Sequence, residues 1–123
     1  MAETVSFVVT AQHTDASGNV RSSLPRASVS HTVTIGVLQH EILLAALTTD
    51  QLVDQGTLTN IRFLAVHSDK AILVQIANGT TGTELPIPAG GSYAMLFDAD
   101  VTAVYLTNEH ATDVAKVTYL IGK

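Results

Sequence analysis

The chain has 123 residues, enough for one domain with a single hydrophobic core. It contains no cysteine, which excludes disulfides and thiolate chemistry, and its net charge of −5 with only 6 Lys and Arg argues against nucleic-acid binding. Charged residues make up 14% of the sequence, whereas about 25% is usual in soluble domains. We infer that other subunits cover part of the surface; a neutral surface rich in Ser and Thr is the alternative.

The first predicted strand is Val5–Ala11. Val5, Phe7 and Val9 occupy alternate positions, and Val8 adds an apolar residue on the opposite face. Unpaired strand edges readily accept another chain, so we predict Val5, Phe7 and Val9 as contact residues between subunits. The segment lacks the basic start and long apolar run of a secretion signal, and no stretch approaches the roughly 18 apolar residues of a membrane span. We therefore expect a soluble chain made in a cytoplasm, with no membrane partner.

A turn at Asp15–Asn19 leads into a second strand region, in which Ser28–Leu38 alternates apolar and polar residues with a period of two. The pattern predicts one continuous, half-buried strand. His31 lies on its apolar face, where a histidine satisfied by one main-chain partner is far commoner than a metal ligand. We also predict His31 as a subunit contact.

The stretch "LQHEILLAAL", Leu38–Leu47, begins with a His-Glu pair, as a zinc-protease helix does. Such a site needs a second His one helical turn later, and position 44 is Leu. We predict a strand, because no helix-capping residue precedes the segment; a helix from Glu41 to Leu47 is the alternative. The following "TTDQLVDQG" is predicted to form a short helical turn, capped by Thr49 and ended by Gly56.

The remainder of the chain repeats strands and turns every eight to twelve residues. Turns are predicted at "SDK", which joins a tight hairpin, at the polar loop tip "NGTTG" and at "PAGG". The sequence thus predicts an all-β fold: an antiparallel, jelly-roll-like sandwich of eight to nine strands in a single domain over residues 1–123. The further predicted strands are Asn60–His67, Lys70–Asn78, Ser92–Phe97, Val101–Asn108 and Asp113–Ile121.

No residue pattern predicts an active site, a cofactor or a metal. The acidic pair of Asp98–Asp100 lacks the spacing of a calcium loop and is predicted to be a solvated turn. Neither a nucleophile motif nor a phosphate-binding glycine run is present. No two of the five histidines stand in a His-x-His pair: His13, His31, His40, His67 and His110.

Four segments, "TVTIGVLQHEILL", "GTLTNIRFLAVHSDKAILVQI", "LPIPAGGSYAMLFD" and "TAVYLTNEHATDVAKVTYLIGK", give the chain a resemblance to a known group. In order and character they resemble the small β-sandwich virion proteins of tailed bacteriophages, described as minor capsid, decoration or head-associated proteins. The resemblance covers Val33 to Lys123. It implies a sandwich that binds other virion subunits without catalysis, and it treats His40 and Glu41 as strand residues.

The sequence therefore favours a non-enzymatic phage structural protein. The expected partners are copies of the chain itself, with a trimer favoured, and the major capsid or other virion proteins; the expected location is the virion. A carbohydrate- or receptor-binding module of a phage tail or fibre is the alternative, with loops such as "NGTTGTE" and "NEHATD" as its site.

Overall fold

A computed structural model describes residues 3–33, 36–78 and 81–123; the side chains at positions 9, 10, 22–31, 81 and 100 are not described. The chain divides into two compact units, Met1–Thr32 and Val33–Lys123. The first is a two-stranded hairpin and the second is a sandwich of two four-stranded antiparallel sheets. That both belong to a single domain over residues 1–123 stays a prediction.

All regular structure in the described residues is β-strand, which confirms the predicted all-β class. Ten strands form in the described part of the chain, where the sequence predicts about eight to nine. The strands are β1 (Thr4–Thr14), β2 (Val20–Thr32), β3 (Val37–Leu44), β4 (Gln51–Leu52), β5 (Ile61–Ser68), β6 (Ile72–Asn78), β7 (Thr81–Ile87), β8 (Ser92–Val101), β9 (Ala103–Thr107) and β10 (Ala115–Gly122).

The sandwich has jelly-roll topology, as the sequence predicts. One sheet has the order β3-β10-β5-β8 and the other the order β4-β9-β6-β7. Strand pairs are nested, since β6 pairs with β7, β5 with β8, β4 with β9 and β3 with β10. This order arises from one long antiparallel ribbon of paired strands whose turn lies between β6 and β7. The ribbon is rolled up so that successive strand pairs belong to alternate sheets.

The core lies between the two sheets and follows the period of two. In β10 the alternate residues Ala115, Val117, Tyr119 and Ile121 are all buried. Register places them beside inward-facing residues of the neighbouring strands, such as Val66 opposite Tyr119. β9 likewise gives one apolar row, Val104 and Leu106, to the core and turns its other row outward.

The strand predicted at Ser28–Leu38 is not continuous: β2 ends at Thr32 and β3 begins at Val37. Positions 34–35 lie outside the described residues. The apolar row is odd-numbered up to Val37 but even-numbered from Leu38 onward, where β3 points its even residues toward the core. One uninterrupted strand cannot change parity in this way, so the prediction was wrong at this point.

The segment Leu38–Leu47 is a strand as far as Leu44, which confirms the predicted strand against the helical alternative. The helical turn predicted in "TTDQLVDQG" was wrong, because this segment contains the short strand β4 instead. Val53 anchors it: its N–H donates to Val104 O at 2.9 Å and its side chain is buried. Tertiary packing thus overrides local helix propensity here.

The tight hairpin predicted at "SDK" was also wrong, because β5 and β6 belong to different sheets. Ser68 is buried at this corner, where its N–H donates to Gly91 O at 3.2 Å and its C=O accepts from Gly90 N at 2.9 Å. The predicted turn at "PAGG" is confirmed, with Gly90 at a φ of 73°. The predicted loop tip "NGTTG" is shorter than expected, since Thr81 already begins β7.

Candidate functional site

The β1–β2 hairpin carries the four contact residues that the sequence predicts. Its register sets Val5 opposite His31, Phe7 opposite Val29 and Val9 opposite Ala27. Directly opposite residues of an antiparallel pair share a face, so Val5, Phe7, Val9 and His31 fall on one face of the hairpin. The structure brings these positions together, while their role as subunit contacts stays a prediction.

None of the described side chains of this hairpin is buried. Val5 and Phe7 are half-buried, and Val8 is 50% exposed. An isolated two-stranded hairpin is at best marginally stable in water, and three or more strands or a packed face are needed for independent stability. Because β1 has 11 residues and β2 has 13, this hairpin is long and has much surface that a partner can cover.

The turn of the hairpin is built around Asp15. The carboxylate Oδ1 accepts from the N–H groups of Ser17 and Asn19, each at 2.9 Å, and Oδ2 lies 2.8 Å from Arg21 Nη2. The hydrogen bond from the main chain of Asn19 is the largest of the effects that hold the pKa of Asp15 below its ordinary value of 3.8. Gly18 supplies the positive φ of 86° that the turn needs. The turn residues thus fix where the two strands meet.

A second polar cluster lies in the sandwich, where His110, Asp113 and Lys70 meet. His110 Nε2 is 3.5 Å and Lys70 Nζ is 3.4 Å from Asp113 Oδ2. The pKa of Asp113 is lowered. The largest cause of this lower pKa is the positive charge of protonated His110, and Lys70 adds to the effect. In the neutral form of the ring, His110 Nδ1 accepts instead from the main-chain N–H of Asp113 at 3.1 Å, which ties the loop to itself. The cluster thus closes a loop through contacts among its own residues.

Among the described residues, His67 and Ser92 form an arrangement that looks like a nucleophile with its base. His67 Nδ1 lies 2.8 Å from Ser92 Oγ. The two residues are direct register partners on β5 and β8, and both are exposed. Within the described ranges no carboxylate hydrogen-bonds the ring, and a triad needs such a group to orient its base. We interpret the contact as a cross-strand polar pair.

Asn108 is the buried polar residue that the sequence did not single out. Its side-chain amide bridges the loops after β3 and β9, and it has no exposed surface. Its Nδ2 donates to the carbonyls of Leu44 at 3.0 Å, Ala45 at 3.2 Å and Asp113 at 2.8 Å, while its Oδ1 accepts from His110 N at 3.0 Å. A lone Asn in "TNEH" gives no sequence signal for such a role.

A concavity of about 620 Å³ lies where β6 begins and β7 ends, lined mainly by apolar residues such as Ile72 and Pro86, with Glu109 and His110. The loop "NEHATD" is at this end of β6, whereas "NGTTGTE" is at the other end, because Leu73 pairs with Thr107 and Asn78 with Thr81. The structure therefore does not bring the two predicted sugar-binding loops together into one site.

The prediction of a solvated turn at Asp98–Asp100 was wrong, because these residues lie inside β8. Register jumps there, from Phe63 opposite Leu96 to Ile61 opposite Val101, so the acidic pair belongs to an irregular stretch of the strand. Of the residues that the structure describes, no three His, Asp or Glu side chains group as a metal site would require. No described helix is long and apolar enough to cross a membrane.

Comparison with known proteins adds little to these observations. The sequence matches no protein-family model and no curated protein. Among solved structures, the chain is similar to one from Bacillus endospore appendages, which form a novel family of disulfide-linked pili. The identity is 13% and the TM-score 0.41, over 71% of this chain and 88% of that chain. At this TM-score the likeness supports no functional conclusion.

Proposed function

We propose that this chain is a non-enzymatic structural subunit that assembles with copies of itself through the β1–β2 hairpin. The carrying observation is the contrast between the length of this hairpin and its lack of any buried side chain among those described. Ordering a strand residue costs roughly 1 to 2 kcal/mol of conformational entropy, which apolar burial normally offsets. A partner subunit that covers the hairpin supplies that burial.

The composition supports the same function. Charged residues are 14% of the chain, and large apolar side chains such as Val20 and Leu43 are exposed. Sparse charge with exposed apolar side chains is typical of a surface that other chains cover. The polar pairs of the sandwich give no competing reason to propose catalysis, because neither combines a nucleophile, a base and an orienting acid.

The finer proposal is that the assembly belongs to a bacteriophage virion, as a decoration or minor capsid protein bound to the major capsid protein. Two observations support it: the jelly-roll strand order, which recurs in viral capsid domains, and the resemblance of Val33–Lys123 to small phage virion proteins. A homo-trimer is the proposed oligomer. The proposed location is the virion.

Analytical ultracentrifugation at micromolar concentration tests the assembly. We expect an oligomer that Val8→Lys or Val5→Lys dissociates at least about tenfold more readily, because each adds a charge to the hairpin. Leu52→Lys is the matched control, since Leu52 is 51% exposed and Val8 is 50% exposed, but Leu52 lies on β4 of the sandwich. A monomeric wild-type chain, or equal effects of Val8→Lys and Leu52→Lys, would contradict the proposal.

The virion location needs a separate experiment. Particles are purified on a density gradient from lysed cells that produce the chain, and the chain is located by mass spectrometry and by electron microscopy of labelled particles. We expect it in the particle fraction, at a regular repeat on the particle surface. If it sediments free of particles while the purified chain still forms oligomers, the virion proposal fails and the assembly proposal stands.

A further inference from the structure

Among the described strands, β3 ends its sheet, and its edge differs from the other three edges of the sandwich. β4 has only two residues, β7 contains Pro86, and β8 is irregular between Leu96 and Val101. β3 instead pairs with β10 in unbroken register over all eight residues and contains neither Pro nor Gly. Proteins commonly protect sheet edges by shortness, proline or bulges. β3 has none of these three protections, although it carries the charged residue Glu41.

The main chain of β3 is also open to a further strand. In an antiparallel ladder, about half of the residues of an edge strand direct their N–H and C=O groups away from the sheet. Within the described ranges, no main-chain hydrogen bond from a turn or loop reaches residues 37–44. Leu43 on this strand is 68% exposed. The edge thus offers both a row of hydrogen-bonding groups and an apolar side chain.

The chemistry of β3 identifies the strand that fits this edge. Reading outward from His40 in both directions gives the same order: one polar residue, then two apolar residues. The symmetric set is Val37, Leu38 and Gln39 before His40, and Glu41, Ile42 and Leu43 after it. A strand with this symmetry is complementary to a second copy of itself running in the opposite direction.

Two kinds of alternative register are worse than the one centred on His40. Centring on His40 sets Leu38 opposite Ile42 on the core-facing side, and it sets Gln39 opposite Glu41 on the outer side. Centring on Glu41 would set two carboxylates opposite each other, and like charges directly opposite are destabilising. An odd shift would bring core-facing residues of one copy beside outward-facing residues of the other.

We infer that β3 pairs antiparallel with β3 of a second copy about a twofold axis at His40, so that two four-stranded sheets become one of eight strands. The contact rests on the proposed assembly function and adds a second surface to it, separate from the hairpin. It extends the core row formed by Leu38 and Ile42, which are only partly buried against the core in one chain. It also covers Leu43 with Val37 of the second copy. The interface is isologous, as a twofold axis requires.

Cysteine cross-linking tests the register directly, because the chain has no native cysteine. Opposite Cα atoms in an antiparallel pair lie roughly 4.5 to 5.5 Å apart, within the range of a disulfide. Gln39→Cys and Glu41→Cys change exposed residues. We expect a disulfide dimer on oxidation of a mixture of the two variants, and little from either alone. Glu84→Cys, exposed on the β7 edge, mixed with either variant gives the background.

Leu43→Lys provides a second measurement, with Leu47→Lys as its control. The two leucines are 68% and 66% exposed, but Leu47 lies beyond the end of β3. We expect Leu43→Lys to weaken the twofold contact about tenfold or more, since the symmetric interface contains the substitution twice. Leu47→Lys should leave the contact unchanged.

Each other outcome overturns the inference. A disulfide from Glu41→Cys alone would place the axis at Glu41. Background-level cross-linking in the mixture would show that β3 does not pair with itself, and equal effects of Leu43→Lys and Leu47→Lys would point the same way. An oligomer that still depends on Val5 and Val8 would then leave the hairpin proposal intact, so the two failures are distinguishable.

Discussion

The hairpin and the sandwich are both built from alternating apolar residues, yet they use them differently. In the sandwich, strands such as β9 and β10 bury an alternate row of side chains against the facing sheet, and every buried hydrophobic residue described lies between Leu44 and Ile121. In the hairpin, Val8 and Val20 are exposed and no described side chain is buried. A period of two therefore predicts a strand with an apolar face, but it does not predict whether the same chain covers that face.

The largest expected difference between the two units is in the cost of deleting an apolar side chain. Leu106→Ala removes a buried core residue and should lower the free energy of unfolding by about 2 to 5 kcal/mol. Val8→Ala, on half-exposed Val8, should lower it by less than about 0.5 kcal/mol in the monomer. Urea denaturation at low protein concentration measures both. Equal losses would show that the hairpin has a core of its own.

A smaller but still large effect should come from the polar residues that hold the loops. Asn108→Ala leaves main-chain carbonyls of two loops without their donor, so we expect a loss of about 2 to 4 kcal/mol in unfolding free energy. Asp15→Ala in the hairpin removes the contacts that the Asp15 carboxylate makes to Ser17 and Asn19, and solvent can reach these contacts. Because water can replace them, Asp15→Ala should lower the free energy of unfolding much less than Asn108→Ala does. If Asp15→Ala cost as much unfolding free energy as Asn108→Ala, the hairpin turn would be as important for stability as the buried amide of the sandwich.

Close packing around Gly122 gives the next effect. A Cβ at Gly122 would fall on the Phe63 ring and the carbonyl oxygen of Gly36, so Gly122→Ala should cost about 1 to 3 kcal/mol. Gly36→Ala is the control, because nothing lies within 4 Å of a Cβ built there. Thermal unfolding of the two variants makes the measurement. A neutral Gly122→Ala would show that this part of the sheet is loosely packed.

Most of the strands could be predicted from the sequence because side-chain alternation is a local signal. The predicted Asn60–His67 and the observed β5, Ile61–Ser68, differ by one residue at each end. Pairing between distant strands is not local, which explains the error at "SDK": a short polar turn looks the same whether it joins two neighbours in one sheet or passes between sheets. The end of one strand and the start of the next near Gly36 nonetheless left a signal in the sequence. The apolar residues there change from odd-numbered to even-numbered positions.

The candidate site was less accessible to sequence reasoning. The sequence placed Val5, Phe7 and Val9 on one strand, and the register with β2 brings His31 to the same face. The half-burial of Val5 and Phe7 could not be predicted, because exposure depends on which surfaces other parts of a chain cover. The β3 edge was missed for a related reason: the symmetry about His40 is written in the sequence, but it becomes meaningful only once β3 is known to end a sheet.

The smallest expected effect concerns two aspartates, one in each unit, whose pKa values are lowered for different reasons. For Asp15 the main cause of the lowered pKa is a main-chain hydrogen bond. For Asp113 the main cause of the lowered pKa is the charge of His110. Because a carboxyl with a lowered folded-state pKa stabilises the fold only while ionised, each contribution is present above the ordinary value of 3.8 and disappears as the pH falls through the folded-state pKa. Solvent reaches both carboxyl groups, so the change in stability is small.

Salt should separate the two causes. A charge–charge effect between exposed groups is screened at high ionic strength, where the Debye length falls to about 3 Å at 1 M, whereas a short hydrogen bond is much less affected. Carboxyl chemical shifts followed by NMR titration should therefore move the midpoint of Asp113 toward 3.8 in 1 M salt and leave that of Asp15 nearly unchanged. His110→Ala should raise the Asp113 midpoint at low salt. Equal salt shifts would mean that charge holds the turn of the hairpin as well, most directly through Arg21.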